Sequence, residues 1–197
     1  ETVAVNASQA VPISDRLSMG EAAMAEPLAV CLHAARQAGS LLGKKILVTG
    51  AGPIGMLGVL VARLAGASHI VVTDVADAPL KLAAHIGADE ALNVLRDPAG
   101  LEPYKVEKGV FDVVFEASGN QSALVSALDV LRPGGTIVQL GLGGEMTLPI
   151  NLLVAKELQL KGTFRFHEEF AQAVDLMGRG LIDVKPFITQ TVDLDDA

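Results

Sequence analysis

Gly50, Gly52 and Gly55 stand in the spacing G-x-G-x-x-G within the stretch VTGAGPIG. Backbone N–H groups are the chemistry such a turn offers, and phosphate oxygens are what they bind. Gly50 permits a tight strand-to-helix turn, Gly52 lets the backbone approach a pyrophosphate, and Gly55 lets the helix pack closely on the strand. Pro53 and Ile54 open that helix, whose N-terminus presents free N–H groups to an anion. Asp74 ends the next strand pattern, HIVVTD, about 20 residues after the motif, where a carboxylate accepts hydrogen bonds from ribose hydroxyls. It would repel a 2′-phosphate, and neither Lys nor Arg follows before Lys81. The pattern therefore favours NAD over NADP. Methyltransferases that use S-adenosylmethionine also place an acid here, so the site alone does not specify a dehydrogenase.

A second candidate is Glu26, a carboxylate inside the apolar stretch AMAEPLAVCLHAA and directly before Pro27. If buried, it needs a hydrogen-bonding partner, an opposite charge or a cation. The plain alternative is an acid at a helix end or in a salt bridge. Cys31 is the single cysteine, which excludes an intramolecular disulfide and a cysteine-built zinc site; it reads as a small core residue. His33, His69 and His85 match no metal-binding spacing. The run HEEF, from His167 to Phe170, reads as the start of an amphipathic helix whose first-turn acids suit the helix dipole.

The elements that must position these residues alternate. KKILVTG, HIVVTD, ALNVL, FDVVFEAS, TIVQLG and LQLKGT read as strands. Helical patterns lie between them, with QSALVSALDVLRPGG stopping at Pro-Gly-Gly. Earlier, residues 3–13 read as a strand or extended segment. Ser18 and Glu21 have capping-box spacing and open a helix running to Gly39, kinked or restarted at Pro27. The strands are continuously apolar, so the expected fold is α/β, a doubly wound six-stranded parallel sheet covered on both faces. The chain has 197 residues, of which 50% are hydrophobic, enough for a large core. A net charge of −8 argues against a nucleic-acid partner. The most apolar run, residues 54–72, carries Arg63 and His69, so no membrane span is expected. No leader-like segment opens the sequence, and a cytoplasmic protein is the default reading.

Longer matches lie around these motifs. AEPLAVCLHAARQAG, the segment from Gly43 to Val75, and VQLGLGGEMTLPINLLVAKELQLKGTFRF together resemble the zinc-dependent medium-chain dehydrogenases, in their sorbitol dehydrogenase branch. The resemblance runs from about Pro12 to the end. It implies that Glu26, in the EPL motif, reaches a catalytic zinc, directly or through its water. It further implies that EASG, residues 116–119 with Ala117, Ser118 and Gly119, lies where the fourth strand ends beside the adenosine and nicotinamide ribose. By the same resemblance LGLGG, residues 140–144 with Leu140, Gly141 and Leu142, lies near the nicotinamide, and Phe164 and Arg165 touch the cofactor. Phe166 would stand near the substrate pocket. Relatives often carry an Arg shortly after the ribose-binding acid; Asp77, Ala78 and Pro79 stand there instead. The family's other zinc ligands, a Cys and a His-Glu pair, belong to a preceding catalytic domain. The absent initiator Met and the ending TVDLDDA are read the same way. The chain is thus expected to be the cofactor half of an enzyme acting on a polyol or sugar acid, without activity or bound zinc of its own. Residues 1–20 and 167–197 would be segments of, or returning to, the catalytic domain, with residues 21–166 holding NAD. A homodimer is expected through residues near 143–150, read as an extended apolar edge. The competing reading is a stand-alone nucleotide-binding redox sensor.

Overall fold

The computed structural model describes residues 3–193, so residues 1–2 and 194–197 of the outermost expected segments lie outside it. Six strands form one parallel sheet: β1 (Lys45–Thr49), β2 (His69–Asp74), β3 (Glu90–Asn93), β4 (Phe111–Glu116), β5 (Leu131–Gln139) and β6 (Gln159–Gly162). Their order is β3-β2-β1-β4-β5-β6, the doubly wound arrangement, with the chain reversing direction across the sheet between β1 and β4.

Successive side chains of a strand point to opposite faces, and both faces are buried here. Ile46, Val48, Ile70, Val72, Val113 and Phe115 pack on one side against α3 (Pro53–Leu64) and α4 (Asp77–His85). Leu47, Val71, Val114 and Ile137 pack on the other against α5 (Gln121–Val130). This double burial explains why the strand sequences are continuous apolar runs. A third cluster lies outside α3, where Leu57 and Val61 meet α2 (Ala25–Ala38) and α7 (Glu169–Gly178).

The leading helix divides as its sequence dictates. α1 (Met19–Ala23) has the full capping box, with Glu21 N donating to Ser18 Oγ at 3.2 Å and Ser18 N donating back to Glu21 Oε2 at 3.0 Å. α2 restarts at Ala25, so Pro27 falls in a first turn, where its missing N–H costs nothing. Gly39, at φ +85°, ends it.

Three expectations are corrected. Residues 3–13 pair with no strand; they run as irregular chain with one short turn of 3₁₀ helix at Ala7–Gln9. The helix over residues 121–135 stops at Val130, and β5 begins at once, because Leu131 pairs with Phe111 before a register shift carries Pro133, Gly134 and Gly135 past the ladder. The segment 143–150 is not the sheet edge. It is a loop leading into α6 (Ile150–Ala155), and the edge is β6. Among the described residues no helix is long and apolar enough to cross a membrane.

Candidate dinucleotide site

The glycine turn connects β1 to α3. Gly50 has φ +91°, and its N–H donates to the Thr73 carbonyl at 2.8 Å. A Cβ there would stand 2.9 Å from the Ser118 backbone, so a side chain would push the turn off the β4 loop. At Gly55 a Cβ would overlap the Gly50 carbonyl. Gly52 differs. It is the N-cap of α3, with φ −69°, and a Cβ would meet nothing within 4 Å. Nothing within the chain crowds that position, so the turn is open to a ligand there. Pro53 begins the helix, and the first-turn N–H groups of Ile54 and Gly55 have no preceding helical carbonyl. They stand at the positive end of a 12-residue helix.

Asp74 closes the turn from β2. Its Oδ2 accepts from Ala51 N at 2.7 Å and its Oδ1 from Ala76 N at 2.9 Å. The carboxylate is half-buried and lines a cleft of about 600 Å³ with Gly50, Gly52, Val94, Lys105, Ala117 and Ser118. The cleft lies beyond the C-terminal ends of β1, β2 and β4, where an open parallel sheet takes its ligand. Its volume, its glycine floor and the carboxylate of Asp74 fit the adenosine and pyrophosphate of a dinucleotide; Glu102 and Lys105 also line it.

The structure therefore brings together Gly50, Gly52, Asp74, Ala117 and Ser118, with Pro53, Ile54 and Gly55 forming the helix beneath them. Gly119 and Leu140 sit on the neighbouring loops. Gly141 and Leu142 line a separate groove of about 470 Å³ beside β6, and Leu142 is 87% exposed. Phe164 is also exposed, with the Arg165 guanidinium 5.3 Å from its ring centre. Arg165 has φ +54°, a left-handed backbone that a non-glycine residue rarely adopts. These two lie outside the main cleft.

Glu26 is exposed in the first turn of α2, so the cost of a buried carboxylate does not arise. Among the described residues no group of three or more His, Cys, Asp and Glu is placed to hold a metal. One exposed carboxylate alone does not make a zinc site. Cys31 is buried, with Sγ donating to the Ile54 carbonyl at 3.2 Å, and burial pushes its thiol up. His33 lies against Glu169, not a metal: its Nδ1 is 3.0 Å from Glu169 Oε1.

One group of the EASG segment has surroundings that the sequence does not foretell. Glu116, the last residue of β4, is fully buried, and Ser118, Gly119, Thr49 and Gln139 all donate to it. The only trace in the sequence is an acid closing the apolar run FDVVFE.

Fold and cleft together are those of a doubly wound dinucleotide-binding domain. Residues 53–179 match the family model described as zinc-binding dehydrogenase, and the chain belongs to that family. It is 42% identical over 197 residues to the L-idonate 5-dehydrogenase (NAD(P)(+)) of Escherichia coli, covering 98% of this chain and 57% of that protein. Human sorbitol dehydrogenase is 36% identical over 196 residues, covering 98% of this chain and 55% of that protein. The crystal structure of L-idonate 5-dehydrogenase from Escherichia coli superimposes with a TM-score of 0.89 at 43% identity, over 92% of this chain and 52% of that one. The chain thus spans about half the length of the curated relatives it matches.

Proposed function

We propose that this chain holds the dinucleotide for a zinc-dependent dehydrogenase that oxidises a sugar acid or polyol, with hydride passing from the substrate carbon to NAD. L-idonate, oxidised to 5-keto-D-gluconate, is the proposed substrate, with sorbitol as the nearest competitor; the identity to the L-idonate enzyme supports that order. The cofactor supplies the hydride acceptor. These residues bind and orient it: the α3 N-terminus and glycine turn take the pyrophosphate, and Asp74 takes the ribose hydroxyls. The carrying observation is the cleft beyond β1, β2 and β4, where the glycine turn with its open position at Gly52 faces the carboxylate of Asp74. The proposed setting is the cytoplasm, in keeping with a single buried thiol.

Calorimetry tests this reading. Asp74→Ala should weaken NAD by roughly 1–3 kcal/mol, the cost of lost charge-assisted hydrogen bonds, while NADP gains relative to NAD. Asp74 also anchors Ala51 N, so thermal unfolding must accompany the titration. Unchanged NAD affinity would remove Asp74 from the site.

The same reading includes a homodimer, joined at the β6 edge. Val154, Ile150 and Leu142 are exposed at 71%, 57% and 87%, and the apolar groove lined by Leu124, Met146, Leu148 and Leu160 runs beside them. A second copy presenting the same edge covers both at once. Leu148 packs against its own core, so a charge there would also damage the monomer. Val154→Glu is the cleaner probe. Light scattering should find a dimer for the unmodified chain and a monomer for the variant; a monomeric unmodified chain at high micromolar concentration defeats the proposal.

A further inference from the structure

Glu116 is sealed from solvent, and every partner of its carboxylate is neutral. Oε1 accepts from Thr49 Oγ1 at 3.3 Å, from Ser118 N at 2.9 Å and from the Ser118 hydroxyl; Gly119 N lies 3.1 Å from both oxygens; Gln139 Nε2 donates to Oε2. These donors come from the ends of β1 and β5 and from the loop after β4. A buried carboxylate without a cation is costly unless such donors surround it. The loops it joins are also interlocked. A Cβ at Gly141 would overlap Gly119 N, and one at Gly143 would overlap Gly119 O.

Gln139 shows that the arrangement is kept at a cost. Its Nε2 donates both to Glu116 and to the Gly141 carbonyl, at 2.8 Å for the latter. Its Oε1 is consequently buried with no partner. Flipping the amide would give Oε1 a different position but set an oxygen against the carboxylate. The carboxylate dictates the amide, and the amide fixes Gly141.

A doubly wound sheet binds the two nucleosides of a dinucleotide on its two halves. Asp74 belongs to the first half; Glu116, Gly119, Gln139 and Gly141 belong to the second. We infer that Glu116 is a positioning residue for the nicotinamide half: without touching the ligand, it locks Gly119 and the loop 140–143 into one surface that orients the ring. The inference rests on the dinucleotide reading and adds to it a division of labour.

The test compares NADH with ADP-ribose, which lacks the nicotinamide. Both are titrated against the unmodified protein and Glu116→Gln, well below the midpoint of thermal unfolding. Glutamine keeps the shape but turns one acceptor into a donor facing N–H groups. NADH should bind about tenfold more weakly, a loss of roughly one charge-assisted hydrogen bond, while ADP-ribose changes less than about twofold. The fluorescence enhancement of bound NADH should fall with it. Equal weakening of both ligands would make Glu116 a merely structural residue, and no change in either would deny it any role; each overturns the inference. If Glu116→Gln does not fold, Gln139→Leu tests the same loops with the carboxylate intact, and the same unequal loss is required. Failure of the unmodified protein to bind either ligand would instead overturn the dinucleotide reading, and this inference with it.

Discussion

In the first half of the sheet, β1 to β3, the loops meet at Asp74, a carboxylate that solvent and ligand can reach. In the second half, β4 to β6, they meet at Glu116, which nothing can reach. The first half leaves room: Gly52 borders open space. The second half is filled, with Gly119, Gly141 and Gly143 in mutual contact. An anion-binding turn must keep its N–H groups free for the ligand. A surface that aims a flat ring must instead be rigid before the ring arrives. Gly52 and Gly141 are therefore contrasting glycines, the one bordering open space and the other pressed against backbone, as Gly55 also is within the first half.

Alanine substitution separates the two kinds, and the largest effects are expected where glycine is demanded by the protein itself. Gly55→Ala and Gly141→Ala each place a Cβ inside a backbone atom's radius. Each should cost on the order of 4 kcal/mol or more in urea unfolding, in the range reserved for severe steric conflict. Gly52→Ala should cost no more than about 1 kcal/mol, the ordinary difference between glycine and alanine at a helix N-cap, yet should abolish measurable NADH binding. Equal destabilisation by Gly52→Ala and Gly55→Ala would erase the distinction.

Each half also uses a cation to close a helix C-terminus, with different burial. Arg63 donates to the Gly87 carbonyl at 2.5 and 3.0 Å, beyond α4, and remains partly exposed. Lys156 is 6% exposed, and its ammonium donates to the carbonyls of Leu128, Asp129 and Leu131 at 2.8, 2.8 and 2.9 Å. Burial pulls its pKa down, while Asp129 opposes the shift. Lys156→Met leaves three carbonyls at the end of α5 without their donor, which should cost about 2–4 kcal/mol. Arg63→Met should cost less, since water can replace an exposed donor. The reverse order in thermal unfolding would mean that burial is not what distinguishes the halves.

The first half was far more legible in the sequence than the second. Gly50, Gly52, Gly55 and Asp74 are brought together by a strand-to-helix turn and a strand end, both local, so their spacing was enough to group them. The parallel sheet was legible because burial on two faces leaves continuous apolar runs. Glu116 depends on Thr49 and Gln139, which are 67 and 23 positions away, and no local pattern announces such partners. Leu142, Phe164 and Arg165 came only through family resemblance, and they lie outside the main cleft. The apolar setting of Glu26 was misleading: a first helical turn can expose one residue among buried neighbours. α6 was missed because the short apolar run MTLPI reads as an extended edge, and Pro149 as limiting its pairing, although a proline immediately before a helix is equally compatible with starting one.

The layer that spans both halves gives the smallest effect, visible only in acid. α2 and α7 pack together on α3 of the first half, and Lys161 of β6 reaches back to the Gln37 carbonyl at 2.9 Å. Their clasp is Glu169, 1% exposed. Burial pushes its carboxyl up, but the His167 N–H at 2.7 Å, the His33 ring and Arg36 outweigh that and hold it at about 2. A pKa depressed from 4.5 means that the folded state favours the ionised form. Its contribution is complete above pH 4.5 and disappears as pH falls towards 2. At most about 2–3 kcal/mol is linked to this one proton. Unfolding free energy of the unmodified chain should therefore fall through that window, and the curve for Glu169→Gln should be flatter by up to that amount. If sheet and outer layer act as one unit, helix content and tertiary signal will be lost together in the descent. A parallel slope for the two proteins would show that Glu169 is not the titrating clasp. Loss of the α2–α7 packing ahead of the sheet would show that the halves hold together without it.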